Sequence, residues 1–116
     1  KNMNHKDMNK DVQEYIEKYS DGIKKLYLNL RELVLDSVSV EVEERLWAKL
    51  PSYYVRENFV RLIPFKDHIN IEAKTLAQYR DELADYKMTL KGMLQVFVNQ
   101  DVPEELLLKV FNESLR

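Results

Sequence analysis

Residues 58–72, NFVRLIPFKDHINIE, have the apolar spacing of strands, whereas the first third of the chain has the apolar spacing of helices. In the second half of this stretch, Ile69 and Ile71 alternate with polar residues. Successive side chains of a strand point to opposite faces, so the alternation predicts a strand with one buried face and one polar face. The apolar run at residues 59–63 predicts a second strand immediately before it.

Further strands are predicted on both sides of this stretch. Residues 53–55 and 59–63 flank a short polar segment that predicts a hairpin, with Asn58 in the left-handed conformation that a tight turn needs. Residues 45–50 alternate in polarity and predict an earlier strand, which Pro51 ends or bends. Gly92 is predicted to open a last strand that runs through Val98.

The spacing is helical at both ends of the chain. Residues 10–19 predict a first helix, and Ser20 is a predicted N-cap for a second one. Helical spacing returns at residues 75–86, and the acidic residues after Asp101 predict the start of a last helix. The second helix is predicted to bury one face, formed by Ile23, Leu26, Leu30, Leu33 and Val34.

This order of elements predicts an α+β domain. The predicted order is two helices, four strands, a helix, a strand and a helix. An antiparallel-dominated sheet of about five strands, with helices packed on one face, would bury the apolar side chains of these elements. A chain of 116 residues has the size of one domain. We expect residues 10–116 to form that domain and residues 1–9 to be a flexible N-terminal tail.

Composition excludes several classes of function. The chain has no cysteine, so it has no disulfide, thiolate nucleophile or cysteine-ligated metal. No apolar run approaches the ~18 residues that span a bilayer, and the net charge of −2 gives no general attraction for nucleic acid. We therefore expect a cytoplasmic protein whose partners include neither a membrane nor nucleic acid.

The sequence also predicts a protein that is not an enzyme. It contains no phosphate-binding glycine loop, no nucleophile elbow and no paired histidines at the spacing of a zinc protease. Its two histidines are His5, in the predicted tail, and His68. Asp67 precedes His68, and on a regular strand the two side chains would point to opposite faces.

Four short motifs resemble the YdhG-like family, over about residues 12–115. They are LPSYY at 50–54, PFKDHI at 64–69, YK at 86–87 and KG at 91–92. The most specific is FKDHI at 65–69, which matches the family's Phe-Lys-x-His-Ile. These are small bacterial cytosolic domains, described as frataxin-like iron chaperones or as proteins of unknown function. The resemblance implies a frataxin-like α+β fold, iron as cargo and iron-accepting proteins as partners.

Surface carboxylates are the candidate iron ligands, because iron bound for delivery suits hard oxygen donors at a shallow site. The residues from 7 to 44 hold ten acids and five bases, a net charge of −5. By the resemblance, an acidic ridge on the first helix and an edge strand would bind iron. The candidates are Glu17, Asp21, Glu41, Glu43 and Glu44.

A basic pocket is the alternative. Lysines and His68 stand at or near predicted strand ends, and together they would bind a small anionic molecule, a phosphate or a carboxylate, with an aromatic ring stacked on a planar ligand. The candidates are Lys66, His68, Lys87, Lys91, Trp47 and Tyr53. A homodimer formed through the many aromatic side chains also stays open.

Overall fold

The structure, a computed structural model, describes residues 7–116. Residues 1–6, with His5 and most of the predicted tail, lie outside the described residues. Asn9 already belongs to the folded part, because its side chain accepts a hydrogen bond from the backbone N–H of Val12 and caps the first helix.

Three helices and six strands make up the domain. The helices are α1 (Lys10–Glu17), α2 (Asp21–Asp36) and α3 (Glu104–Leu115). The strands are β1 (Glu43–Trp47), β2 (Leu50–Val55), β3 (Asn58–Pro64), β4 (His68–Ala73), β5 (Lys87–Met88) and β6 (Leu94–Phe97).

All six strands form one antiparallel sheet in the order β1-β2-β3-β4-β6-β5. The α+β class and the antiparallel sheet are thus confirmed, with six strands instead of about five. The additional strand is β5, whose two residues are too few for a periodic signal. Gly92, with φ of +90°, lies in the turn before β6, where only glycine adopts this angle without strain.

The helices pack on one face of the sheet and enclose the core there. Alternate residues of the strands, such as Val60, Leu62, Ile69 and Ile71, point to this face and are fully buried. The predicted N-cap of α2 is confirmed, since the Ser20 hydroxyl accepts from a backbone N–H of the first turn. The predicted apolar face of α2 is buried as a whole: Ile23, Leu26, Leu30, Leu33 and Val34.

The prediction of one continuous strand over residues 45–50 is wrong. Ala48 and Lys49 have φ angles of 50° and 66° and form the two-residue turn between β1 and β2. Two positive φ angles give the turn the twist of a hairpin, although neither residue is the usual choice. Pro51 is not a strand end either: it lies in β2, before the pairing of β2 with β3 begins at Ser52.

The hairpin between β2 and β3 is confirmed, but its left-handed residue is Arg56, with φ of 55°, and not Asn58. Asn58 is the first residue of β3 and pairs with Val55. Its amide is used elsewhere, donating to the backbone carbonyl of Arg116 and accepting from Lys74.

The predicted helix at residues 75–86 is wrong as a regular helix. A short 3-10 helix at Leu76–Tyr79 is followed by turns, in which the N–H of Leu83 donates to both Tyr79 and Arg80 carbonyls. The apolar side chains that produced the helical spacing still pack into the core, since Leu76 and Leu83 are buried. The segment is held by tertiary bonds, including those of the Thr75 hydroxyl to α3.

Within residues 7–116, none of the helices combines the length and the apolar character that a transmembrane segment requires.

Two tyrosine hydroxyls meet inside the core. Tyr27 of α2 and Tyr53 of β2 are fully buried, and their oxygens lie 2.6 Å apart. Burial raises the pKa of both phenols above its ordinary value, because a phenolate would lose its hydration.

We predict a loss of stability at alkaline pH from this pair. Folding raises the pKa values of both tyrosines. Their contribution to the free energy of unfolding is therefore complete below the ordinary tyrosine pKa of about 10 and decreases as the pH rises above it. Tyr27→Phe should lower the free energy of unfolding at pH 8 by about 0.5–1.5 kcal/mol but make its decline above pH 10 shallower. Denaturant unfolding at pH 8 to 11 measures both, with Tyr54→Phe as the control; an unchanged decline in Tyr27→Phe would refute the assignment.

Candidate functional site

Among residues 7–116, no helix packs on the second face of the sheet, and we call this face the outer face. Its side chains alternate along each strand with those of the core. On β1 to β3 they are Glu43, Arg45, Trp47, Leu50, Ser52, Tyr54, Phe59, Arg61 and Ile63; on β4 and β6 they are His68, Asn70, Glu72, Gln95 and Phe97.

Arg61 covers the centre of the outer face. Its guanidinium carbon lies 4.1 Å from the centre of the Trp47 ring and 3.9 Å from that of Phe59. The same group donates to the Ser52 hydroxyl at 3.0 Å and to the Glu72 carboxylate at 3.2 Å. Arg61 is therefore buried without a helix above it, which makes it a structural cation and not a free one.

A second group, the His68 cluster, lies where β3 turns into β4 and beside the end of β6. It consists of Phe65, Asp67, His68, Lys87 and Phe97. The imidazole stacks on Phe65, with ring centres 4.8 Å apart and planes at 10°, and meets Phe97 at 4.7 Å and 32°. Lys87 places its ammonium 5.7 Å from the centre of the Phe97 ring.

The orientation of His68 is fixed by hydrogen bonds as well as by stacking. Nδ1 lies 2.8 Å from Oδ1 of Asp67, and this hydrogen bond lowers the pKa of the Asp67 carboxyl. An ionised carboxylate there keeps a proton on Nδ1, so Nε2 is the acceptor in the neutral ring. Nε2 faces the Gln95 amide at 3.4 Å, and that amide donates to Asn70.

The contact between Asp67 and His68 corrects a sequence expectation. Asp67 lies in the turn before β4 and not on the strand, because the N–H of Phe65 donates to the carbonyl of His68 and closes a hairpin around Lys66 and Asp67. The strand rule that places neighbours on opposite faces therefore does not apply to this pair.

The structure brings together only part of the predicted basic pocket. Lys66, at the hairpin tip, is exposed two residues before His68, and Lys87 reaches the same cluster. Lys91 does not belong there: it lies in the turn between β5 and β6, in a hollow of about 320 Å³ that Phe59 and Lys74 also line, near the opposite end of β4.

The two predicted aromatic partners also separate. Trp47 lies on the outer face but over Arg61, in the neighbouring group of side chains. Tyr53 points to the core and is fully buried, so it cannot stack on a ligand of the outer face. Neighbouring residues of a strand point to opposite faces of the sheet, so Tyr54, and not Tyr53, lies on the outer face.

Glu44, a predicted metal ligand, is instead buried in a polar network. Its carboxylate accepts from Arg31 at 2.6 and 3.1 Å and from the Tyr53 hydroxyl at 2.8 Å. The backbone N–H of Asn9 donates to it as well, at 2.8 Å. With its side chain only 4% exposed, Glu44 connects α1, α2, β1 and β2 and is not available to a metal.

The other predicted acids lie at the surface. Lys24 reaches both Glu17, at 3.5 Å, and Asp21, at 3.7 Å, and Arg45 lies 3.1 Å from Glu43. Glu41 and Glu43 line an open hollow of about 510 Å³ between the start of α1 and the edge strand β1. Among residues 7–116, no group of three or more acidic or histidine side chains has the geometry of a metal site.

Sequence reasoning missed Phe65, Phe97, Arg61 and Asp67 as members of the outer face. Phe65 and Phe97 stand next to predicted strand ends, and an apolar residue in register with His68 is the signal that could have identified them. Arg61 lies inside an apolar run, and its burial depends on ring partners from two other strands.

Comparison of the chain with models of known families, with curated proteins and with solved structures yields no match.

We predict that Glu44→Gln is strongly destabilising. The change leaves the Arg31 guanidinium, whose side chain is 13% exposed, without its carboxylate, and breaking a buried pair in this way costs about 3–5 kcal/mol. Glu43→Gln, at the exposed neighbouring position, should change the free energy of unfolding by less than about 1 kcal/mol. Equal effects of the two changes in urea unfolding would show that the network does not stabilise the fold.

Proposed function

We propose that this domain is a binding module for a small anionic molecule, a phosphate or a carboxylate, which it binds at the His68 cluster. The observation that carries the proposal is the fixed imidazole of His68, stacked between Phe65 and Phe97 at the edge of a sheet face that no helix covers. Nothing in the core requires a histidine at this position, since its side chain belongs to the outer face.

The charges around the cluster favour an anion. Lys66 at the hairpin tip and Lys87 on β5 are exposed, and each supplies a mobile ammonium group. Asp67 carries one negative charge and offsets part of this field.

Binding, and not catalysis, is the proposed role. His68 contacts the Asp67 carboxylate through Nδ1 and the Gln95 amide through Nε2, so these two hydrogen bonds include no hydroxyl, thiol or amine that the ring could activate as a nucleophile. Such a ring can accept or donate a hydrogen bond to a ligand at its edge, but the contacts supply no partner for covalent chemistry.

An anion titration tests the proposal. We expect inorganic phosphate, succinate or benzoate to stabilise the protein in thermal-shift measurements at pH 6 and at pH 8. Lys66→Gln and Lys87→Gln should each weaken binding, because each removes one positive charge from the cluster.

Lys91→Gln is the matched control, since it removes the same charge at the turn between β5 and β6. It should bind like the parent protein. An equal loss in Lys87→Gln and Lys91→Gln would indicate a general field effect and contradict a site at His68. Absence of any stabilisation at millimolar anion, at both pH values, would reject the proposal.

Iron delivery, which the resemblance to the YdhG-like family suggests, is a second proposal with a specific observation in its favour. Glu41 and Glu43 point into one hollow together with Asp7, beside the edge strand β1. Arg56 lines the same hollow and opposes a cation there. A shallow site of this kind would hold iron weakly, as delivery to an accepting protein requires.

Anaerobic calorimetry with ferrous iron tests this second proposal. We expect binding in the micromolar range that is lost in Glu41→Gln/Glu43→Gln and at low pH, where carboxylates are protonated. Glu104→Gln/Glu105→Gln, which removes two acids from the first turn of α3, is the control and should retain binding. Equal binding by both double variants would contradict a site in this hollow.

A further inference from the structure

Two aromatic rings of the outer face are covered on one side and open on the other. Trp47 is 48% exposed, although Arg61 covers one face of its indole at 4.1 Å. Phe65 is 43% exposed, although His68 stacks on one face of its ring at 4.8 Å. Both residues thus keep nearly half of their surface exposed although one face of each ring is in contact with a neighbour.

The rings of the His68 cluster form a stack with one open end. Phe65, His68 and Phe97 follow one another with ring centres less than 5 Å apart, and Lys87 lies beyond Phe97. Because His68 has a ring on each side, its own faces are not available to a ligand. The free face of Phe65 is the place where a further ring can join this stack.

Apolar side chains adjoin the open end. Leu50 and Ile63 belong to the same end of the outer face, two residues beyond the paired Ser52 and Arg61. Ile63 is 9% exposed and Leu50 is partly buried. A molecule on Phe65 therefore lies near an apolar floor, and the next residue in the chain is the exposed Lys66, so one part of the molecule can be flat and apolar and another part negatively charged.

On the basis of the proposed function, we propose that the ligand of the His68 cluster is a planar aromatic anion, a ring that carries a carboxylate or a phosphate. Its ring stacks on Phe65 and its charged group reaches Lys66. The rigidity of the stack favours this class, because His68 holds Phe65 in place and a flat ligand on Phe65 orders only the Lys66 side chain when it binds. A saturated ring of the same charge loses the parallel contact.

A monomeric ligand fits this surface better than a nucleic acid strand. Single-stranded nucleic acid needs a continuous positive groove besides rings on which bases stack. Here the outer face carries Glu43 and Glu72 among its cations, and the chain has a net charge of −2. The two exposed lysines of the described chain near this stack, Lys66 and Lys87, belong to its opposite ends, Lys66 next to Phe65 in the sequence and Lys87 beside Phe97.

A matched panel of small acids tests the inference by calorimetry at pH 6.5. Benzoate is compared with cyclohexanecarboxylate, which has the same charge without a flat ring, and with benzamide, which has the ring without the charge. We expect benzoate to bind about three- to tenfold more tightly than cyclohexanecarboxylate, the range of a ring–ring contact, and benzamide to bind more weakly than either. Phe65→Leu should abolish the preference for benzoate over cyclohexanecarboxylate. Phe59→Leu, which removes the outer-face ring that contacts Arg61, should retain this preference.

The outcomes separate this inference from the proposed function. If benzoate and cyclohexanecarboxylate bind equally in the parent protein, the aromatic preference is refuted and anion binding stands. If no acid binds, both the aromatic preference and the proposed anion binding are refuted. Tighter binding of a short oligonucleotide than of its mononucleotide would also overturn the inference, since it would indicate a polymer site. Circular dichroism of Phe65→Leu establishes that the variant is folded, and a preference retained in a folded Phe65→Leu refutes the stacking position.

Discussion

The buried carboxylate of Glu44 is the constraint on which the rest of the structure depends. It lies on the core side of the edge strand β1 and accepts hydrogen bonds from α1, α2 and β2 through Asn9, Arg31 and Tyr53. A charged group inside a core is stable only when its partners surround it. A shift of β1 by one residue would turn Glu44 to the outer face and break its hydrogen bonds to Asn9, Arg31 and Tyr53, so this network fixes the register of the strand.

The register of β1 in turn decides what the outer face contains. With Glu44 inside, Glu43, Arg45 and Trp47 point outward, and Trp47 comes to lie over Arg61. The centre of the face is then covered by its own long side chains. Arg61 is buried between two rings, in the role that a helix has on the other side of the sheet.

What remains accessible is the edge of the face near the turn between β3 and β4. There the stack of Phe65, His68 and Phe97 holds an imidazole in one orientation and leaves a flat ring open to solvent. Rigid aromatic surfaces next to mobile cations are suited to small ligands, because their own conformational freedom is already lost. The same interactions that close the centre of the face thus leave its edge as the place for the proposed binding.

The spacing of apolar residues was sufficient to predict the class of the fold. The helical face of α2 and the alternation of Ile69 and Ile71 follow from periods of 3.6 and 2, which are properties of the backbone and need no tertiary contact. The conformations of the turns were harder to predict from the sequence. Ala48, Lys49 and Arg56 adopt positive φ angles that their side chains do not favour, because strand pairing on both sides of each turn determines the backbone between them.

The chain by itself determined the buried face of α2, the alternation of Ile69 and Ile71 and the antiparallel-dominated sheet, and it offered Lys66, His68, Lys87 and Lys91 together as one candidate group. Only the tertiary structure decided that Glu44 and Tyr53 are internal, that Lys91 lies elsewhere, and that Asp67 orients His68. The physical reason is that polar and aromatic groups interact over a few ångströms and in specific directions. Their partners come from other strands, and a linear pattern contains no information about which side chains meet across a sheet.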